Sequence, residues 1–255
     1  MLFDLRGKRK RVVQVAYTLL AAIFLIGFVG FSIGSGNAPG GLLDAIGLGG
    51  SGGSSGSLSS QFDDQINAAN AQLAKHPNDP TALVRLAKYE YFKGKQGVTQ
   101  DQTTGQVAVS QDAHTELGHS ADAWEKYLKV SKGKPDAGTA AYMVQVYYLL
   151  NDASGAAQAQ RLVAEKTPSA GSYGQLAFYL YAAFDIPGGD AAAKKAESLA
   201  PKTQRKQISS QLGAIRKQAV KIKKQQAKAQ KNAPPATTPG ANPLQNPFGG
   251  VGTGP

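Results

Sequence analysis

The chain of 255 residues contains no cysteine, so it forms no disulfide and holds no thiolate site. Histidine is also scarce: His76, His114 and His119 are the only three. Two of them lie in the stretch HTELGH, which departs from the zinc motif H-E-x-x-H because no acid directly follows the first histidine. These two histidines are five positions apart and point to different sides of a helix, so the sequence predicts no metal site.

Catalytic patterns are equally rare. Gly47, Gly49 and Gly52 match G-x-G-x-x-G, and residues 49–53 match G-x-S-x-G. Both motifs act at a strand-to-helix turn of an α/β unit, which this Gly-rich stretch does not provide. No phosphate loop or carboxylate pair stands out elsewhere. The sequence therefore predicts a protein that is not an enzyme and that uses no cofactor, metal or small-molecule substrate.

Acidic residues are absent from residues 198–255, and this uneven distribution explains the net charge of +11. Residues 1–11 contribute +4, residues 198–255 contribute +10, and the middle of the chain has a charge of −3. Because the central domain is mildly acidic and the basic segments lie at the ends, the overall charge does not indicate nucleic acid as a partner.

One long apolar run is present near the amino terminus. Residues 12–31 contain no charged residue, and at about 1.5 Å per residue they span roughly 30 Å, the thickness of a bilayer core. The basic segment 1–11 precedes the run. The positive-inside rule therefore predicts a single transmembrane helix at 12–33, with the amino terminus in the cytoplasm and the following chain outside. The alternative is a cleaved signal peptide, whose apolar core is usually shorter.

Proline recurs at a regular distance between helical segments. Pro135, Pro168 and Pro201 are evenly spaced, whereas the interval from Pro77 to Pro135 exceeds a period of roughly 34 residues by the length of the polar segment 95–118. A period of roughly 34 residues with two helices in each period is the signature of tetratricopeptide repeats, and the spacing of these prolines fits it. Each helical pair buries its apolar surface by stacking on the next pair.

Residues 61–201 therefore resemble a tetratricopeptide-repeat domain, with Leu86, Ala87, Ala123 and Tyr127 at characteristic positions of its first repeat. The predicted fold class is all-α: a solenoid of helical hairpins with about three repeats, a leading helix and a capping helix, after the transmembrane helix. The predicted helices are 61–75, 81–93, 120–132, 137–150, 154–166, 171–184, 189–199 and 203–231. The pair Asp79-Pro80 suits a helix start, with Asp as the cap.

The remaining segments follow from composition. Residues 34–60 are rich in glycine and serine, which predicts a flexible linker, and residues 232–255 are rich in proline and glycine, which predicts a disordered tail. Residues 95–118 are predicted as an inserted loop. The alternative is that the second half of this segment, from about Gln111, lengthens the following helix.

The resemblance implies a binding groove on the concave face of the solenoid. The groove positions of the family carry over to Val84, Lys88, Tyr91, Phe92, Tyr142, Val146, Leu149, Gln175 and Tyr179. Tyrosine combines a large contact area with a polar tip, which suits the binding of a peptide. For each of these residues the alternative is ordinary packing between helices.

The basic helix at 202–231 has two distinct sides. Its apolar stripe consists of Ile208, Leu212, Ile215, Ala219 and Ile222, and another side carries Lys217, Lys221, Lys224 and Lys228. The stripe suits a capping helix that covers the last repeat. The lysines suit either the solubility of that open end or contact with anionic lipid or cell-wall polymer.

The whole chain also resembles a group of actinobacterial membrane proteins that begin with LFDLRGKRKR, cross the membrane once and carry a GGLLDAIG spacer before an outer repeat domain. This resemblance implies no defined activity. The predicted function is a membrane-anchored scaffold that binds a protein or peptide partner outside the cytoplasm, such as an envelope-assembly or chaperone-like accessory. The alternative is a structural, surface-anchoring protein whose basic carboxyl-terminal segment contacts anionic lipid or cell-wall polymer. The sequence does not indicate an oligomeric state.

Overall fold

The structure, a computed structural model, describes residues 55–101 and 106–231. These residues are mostly helical, which confirms the all-α fold class. The predicted basic segment 1–11, the predicted transmembrane helix 12–33, most of the predicted linker and the predicted tail 232–255 lie outside the described residues. Among the helices that are described, none combines the length and the apolar character needed to cross a bilayer.

The described part of the chain contains eight helices and one β-hairpin. In chain order they are α1 (Ser55–Lys75), α2 (Pro80–Lys95), β1 (Val98–Gln100), β2 (Val107–Val109), α3 (Gln111–Val130), α4 (Ala137–Leu149), α5 (Ala153–Lys166), α6 (Ala170–Ala182), α7 (Ile186–Leu199) and α8 (Lys202–Lys231). The predicted start of α2 is confirmed, because the side chain of Asp79 accepts hydrogen bonds from the backbone N–H groups of Thr81 and Ala82 at 2.8 and 3.2 Å.

Two predicted segments differ from the structure. Helix α1 begins at Ser55, so residues 55–60 are helical and do not belong to a linker. The reason lies in the next turn, where the Phe62 ring stacks on Phe92 of α2 at 5.8 Å. Once these turns are packed, extending a helix by another turn costs little even through serine-rich sequence.

The segment 95–118 is likewise not a single loop. Strands β1 and β2 form an antiparallel hairpin that pairs Val98 with Val109, and α3 begins directly after it. Ser110 caps α3 by accepting the N–H of Ala113 at 3.1 Å, and Ala113 and Leu117 are buried. The alternative, in which the second half of the segment lengthens the following helix, is therefore the correct one.

Successive helices pack as hairpins that repeat along the chain. Only three residues connect α4 to α5 and α6 to α7, so each pair is antiparallel. Asn151 and Phe184 occupy equivalent places in these two turns and have positive φ angles of 58° and 60°. The next residues, Asp152 and Asp185, are the N-caps of α5 and α7. The same turn therefore recurs at the spacing of the sequence repeat.

Each of these two hairpins closes through a tyrosine ring that packs on a glycine. A Cβ atom on Gly155 would lie 2.3 Å from Cδ1 of Tyr147, and one on Gly189 would lie 2.4 Å from Cδ1 of Tyr181. The two pairs are one sequence repeat apart, and both rings are buried. Glycine is favoured here because a Cβ atom would have to displace the ring or push the two helices apart.

The core continues from hairpin to hairpin and ends under α8. Leu212 and Ala219 of α8 are buried against α6 and α7, with Ile208 and Ile215 beside them, so most of the predicted apolar stripe does cover the last hairpin. Polar contacts hold the same helix: the side chain of Arg216 donates to Asp190 at 2.7 Å.

Candidate binding surface

A cluster of aromatic side chains lies where α1, α2 and α4 meet. The ring centroids of Phe62, Tyr89 and Phe92 are 5.8–6.2 Å apart, and those of Phe92 and Tyr142 are 5.4 Å apart. These distances and the stacked, tilted or edge-on geometries are typical of favourable aromatic pairs. All four side chains are half-buried, so part of each ring faces solvent. We name Phe62, Tyr89, Phe92 and Tyr142 the aromatic surface.

The helical period explains how these rings meet. Tyr89 and Phe92 are three positions apart on α2 and therefore share one side of that helix. Phe62 reaches them from α1 and Tyr142 from α4. The aromatic surface thus depends on the association of three helices, two of which are the first helices of successive hairpins.

Tyr91 supports the aromatic surface from beneath. Its ring centroid lies 5.3 Å from that of Phe92 and 5.4 Å from that of Tyr142, and its side chain is only 2% exposed. The hydroxyl donates a hydrogen bond to Oε1 of Gln145 on α4. Burial raises the pKa of Tyr91 to about 12, so the hydroxyl remains a donor at neutral pH. Tyr91 therefore fixes the relative position of α2 and α4.

Lys88 adds a positive charge at the edge of the aromatic surface. Its Nζ atom lies 5.8 Å from the ring centroid of Phe92 and 6.0 Å from that of Tyr142. A cation within about 6 Å of an aromatic ring is attracted to the electron-rich face. Lys88 is half-buried, and its charge also acts within the chain. The hydrogen bond from the Thr139 hydroxyl lowers the pKa of Asp136, and the nearby ammonium group of Lys88 lowers it further.

The predicted groove residues fall into three groups. The half-buried residues of the first group belong to the aromatic surface or lie beside it or the core below it; they are Val84, Lys88, Phe92, Tyr142 and Leu149. Tyr91 and Val146 are buried, at 2% and 0% exposure, and both belong to the same hydrophobic core. For these two residues the expectation of a ligand-facing position is therefore corrected in favour of ordinary packing between helices.

The other two predicted groove residues, Gln175 and Tyr179, lie on α6 and are half-buried. The centroid of the Tyr179 ring lies 5.1 Å from that of Phe178. The ring packs against the core formed by α2 to α5 and also against the core formed by α5 to α8. Burial raises the pKa of Tyr179, and the neighbouring Tyr148 raises it further. The aromatic contacts of Tyr179 are thus separate from those of Tyr142, and the structure does not bring all nine predicted residues into one cluster.

The predicted lysine side of α8 is exposed. Lys217, Lys221, Lys224 and Lys228 are all exposed, whereas Lys223 donates to the backbone carbonyl of Phe184 at 2.9 Å. Because the apolar side of α8 is turned towards α6 and α7, the four lysines are presented together to solvent. Their positive charges are therefore accessible to an anionic surface.

Sequence reasoning missed two features of this region. Phe62 and Tyr89 belong to the aromatic surface, and the available signal was the spacing of Tyr89 and Phe92 on one helix side.

The second feature is a group of charged residues between α1, α2 and α3, which we name the charged cluster. Its members are Asp63, Glu90, Lys93, Glu116 and His119. The signal here was the E-x-x-H spacing of Glu116 and His119, which places both on one side of α3.

The aromatic surface combines apolar area, phenolic hydroxyl groups and one cation. Aromatic residues are enriched where proteins bind proteins, and they carry much of the binding energy there. No protein-family model matches this chain, and neither a curated protein nor a solved structure matches it significantly. Its function must therefore be inferred from the geometry of its own residues.

Proposed function

We propose that residues 61–201 form a tetratricopeptide-repeat-like scaffold that binds a protein or peptide segment on the aromatic surface. The observation that carries this proposal is the set of four partly exposed rings, with Lys88 beside them, on the first helices of two successive hairpins and on α1. A function as an envelope-assembly or chaperone-like accessory agrees with such a scaffold.

Two structural repeats support the tetratricopeptide-like part of the proposal. The turn with a positive φ at Asn151 recurs at Phe184, and the ring–glycine contact of Tyr147 with Gly155 recurs one repeat later, at Tyr181. The first helices α2 and α4 also contact each other directly, through the hydrogen bond between Tyr91 and Gln145. A solenoid presents such helices side by side and so creates an extended surface for a ligand.

The chemistry of the surface indicates the kind of segment that it binds. Partly exposed phenyl and phenol rings favour apolar side chains, which pack on them and lose contact with water. The ammonium group of Lys88 favours a carboxylate, either a side chain or a chain terminus. The proposed ligand is therefore a segment with apolar anchors and one acidic group at their edge.

Site-specific photo-crosslinking in intact cells tests this proposal on the full chain. A photoreactive amino acid at Tyr89 or at Tyr142 should give the same protein adduct, and one at the exposed Lys126 of α3 should not. The variants Phe92→Ala and Lys88→Glu should each weaken the adduct at Tyr89. Tyr173→Ala, which removes a half-buried tyrosine on α6 outside the aromatic surface, should leave the adduct unchanged. Adducts that differ between positions 89 and 142, or that persist in Phe92→Ala, would count against the proposal.

The location of the scaffold is also part of the proposal. We propose that residues 12–33 anchor the protein in the cell membrane as a single span, with the amino terminus in the cytoplasm and the repeat domain outside. The apolar length of this segment and the basic residues before it support this topology. Protease added to intact cells should then cleave residues 34–255, and protection of that region until the cells are lysed would exclude this orientation.

A second candidate function rests on the exposed lysines of α8. Lys217, Lys221, Lys224 and Lys228 offer a positive side to anionic lipid or cell-wall polymer, for which the repeats would act as a spacer. Replacing all four lysines by glutamine should then abolish binding to vesicles that contain phosphatidylglycerol, and binding by the natural chain should weaken as salt is raised. Binding that persists after deletion of residues 203–255 would rule out this function for α8.

A further inference from the structure

The charged cluster contains a buried carboxylate with an incomplete set of partners. Glu90 lies on α2, about 100° around the helix from Tyr89 of the aromatic surface. Its side chain is only 5% exposed, and its Oε2 atom accepts no hydrogen bond from any residue that the structure describes. A buried carboxylate oxygen without a partner is costly, because water no longer solvates it. Burial, followed by a hydrogen bond with Glu116 and by the charge of Glu116, raises the pKa of Glu90 to about 8. Glu90 therefore shares a proton with Glu116 while its Oε2 atom has no donor.

Two more groups with metal-binding atoms face Glu90 from α3. One ligand atom each of Glu90, Glu116 and His119 lies within 4.8 Å of the others. Oε2 of Glu116 and Nδ1 of His119 are 3.6 Å apart. Two ligand atoms of a tetrahedral zinc site are about 3.4 Å apart, which follows from metal–ligand bonds of about 2.0–2.1 Å. The three groups are therefore close to the spacing of such a site, and the more exposed Glu116 and His119 have the freedom to close it.

The charge balance of the cluster favours a divalent cation. Nζ of Lys93 lies 2.9 Å from both Asp63 Oδ1 and Glu116 Oε1. When the carboxyl groups of Asp63, Glu90 and Glu116 are ionised, they and one ammonium group leave two negative charges. A proton on Glu90 removes only one of these charges, whereas a divalent cation neutralises both.

We propose that Glu90, Glu116 and His119 form a binding site for Zn²⁺, with Lys93 retained by Asp63. Two carboxylates and one imidazole are ligands that zinc accepts, and water completes a four-coordinate site. Ca²⁺ and Mg²⁺ prefer more oxygen ligands and no imidazole, so they fit this set less well. The ion would join α2 to α3, two helices that the β-hairpin separates in the sequence.

The histidines of the chain provide matched controls. His114 and His119 both lie on α3 and are both exposed, but only His119 belongs to the charged cluster. The replacement His114→Ala therefore removes an exposed imidazole from the same helix without touching the proposed site. This comparison separates a built site from the general affinity of surface histidines for zinc.

The test uses the full chain, purified in detergent and treated with a chelator. Titration with Zn²⁺ in a calorimeter should show one tight equivalent, and Co²⁺ should give the visible absorption of a tetrahedral site. We expect Glu90→Gln and His119→Ala each to weaken binding of Zn²⁺ at least tenfold, and His114→Ala to leave it unchanged. Zn²⁺ should raise the melting temperature of the natural chain and of His114→Ala but not of His119→Ala, because an ion that binds only the folded state stabilises it.

Three outcomes would overturn the proposal. Equal weakening in His114→Ala and His119→Ala would indicate an adventitious ion only. Undiminished binding in His119→Ala would show that the ion binds elsewhere, and because His119 is exposed this variant should fold even if Glu90→Gln does not. If the natural chain bound no equivalent of Zn²⁺ tightly, a proton alone would neutralise the buried carboxylate of Glu90. Each result leaves the binding function of the aromatic surface to be judged by its own crosslinking test.

Discussion

The contact between Gly189 and the ring of Tyr181 predicts that alanine at position 189 destabilises the domain. A Cβ atom there would lie 2.4 Å from both Cδ1 and Cε1 of the ring, whereas carbon atoms prefer about 3.5–4.0 Å. The ring has little room to retreat because Tyr181 is 1% exposed. Its hydroxyl also donates to Oδ1 of Asp190 at 2.8 Å, which fixes the far end of the side chain.

The expected magnitude follows from three opposing contributions. Forcing a methyl group into a filled core costs about 1–3 kcal/mol. Shifting the ring also weakens the hydrogen bond to Asp190, which contributes about 1 kcal/mol. Alanine is favoured over glycine in a helix by about 1 kcal/mol, which offsets part of the loss. We therefore expect Gly189→Ala to lower the free energy of unfolding by about 1–3 kcal/mol.

Urea unfolding followed by circular dichroism measures this change. Gly155→Ala should behave like Gly189→Ala, because its Cβ would lie 2.3 Å from the ring of Tyr147. The matched control is Gly174→Ala on α6, where an added Cβ would meet no described atom within 4 Å other than its chain neighbours and its own helix backbone. It should raise stability by about 0.5–1 kcal/mol through helix propensity alone. If Gly189→Ala proved as stable as Gly174→Ala, the hairpins would not close through ring–glycine contacts and the reasoning would be refuted.

Three further predictions concern single contacts. Asp152→Ala removes the cap of α5 and should cost about 1 kcal/mol in urea unfolding, whereas Asp152→Asn should retain most of the stability. Tyr91→Phe leaves Gln145 without its donor and should cost about 1 kcal/mol in the same assay. Arg216 lowers the pKa of Asp190, so their pairing stabilises the fold above the unfolded pKa and is lost as pH falls through the folded pKa. Acid titration of Arg216→Gln should accordingly show a shallower loss of stability below about pH 4 than the natural chain.

The helices and their repeat can be predicted because the signals that specify them are local. The sequence predicts α4 at 137–150, and the structure has it at Ala137–Leu149. Proline between segments, apolar spacing within them and a capping Asp before several helices are all properties of a few neighbouring residues. The even spacing of the prolines marks the sequence period, which the recurring turn at Asn151 and Phe184 matches.

The β-hairpin could not be predicted because its strands are only three residues long. Val98 is buried while Val107 is exposed, so no alternating pattern is long enough to be recognised. The start of α3 did carry a signal, since Ser110 precedes the helical spacing of Ala113 and Leu117. The polar composition of the surrounding segment concealed it.

The candidate site was predicted only in part. Positions carried over from the tetratricopeptide-repeat family indicate which side of a helix a residue occupies, but not how deeply its side chain is buried. Lys88 and Tyr142 remain partly accessible, whereas Val146 on the same helix as Tyr142 is buried in the hydrophobic core. Phe62 was missed because it lies on the leading helix, outside the repeats from which positions were carried over. Contacts between α1 and α2 exist only in three dimensions, and no spacing within one helix reveals them.

The leading helix α1 connects the two candidate sites. Phe62 belongs to the aromatic surface, and the next residue, Asp63, holds Lys93 at 2.9 Å in the charged cluster. Lys93 now divides its hydrogen bonds between Asp63 and Glu116. If a cation took Glu116 as a ligand, Lys93 would pair with Asp63 alone and would hold α1 more firmly against α2, directly beside the ring of Phe62. The coupling of two sites is reciprocal, so a partner that contacts Phe62 would then bind more tightly in the presence of the cation and would raise the affinity for it.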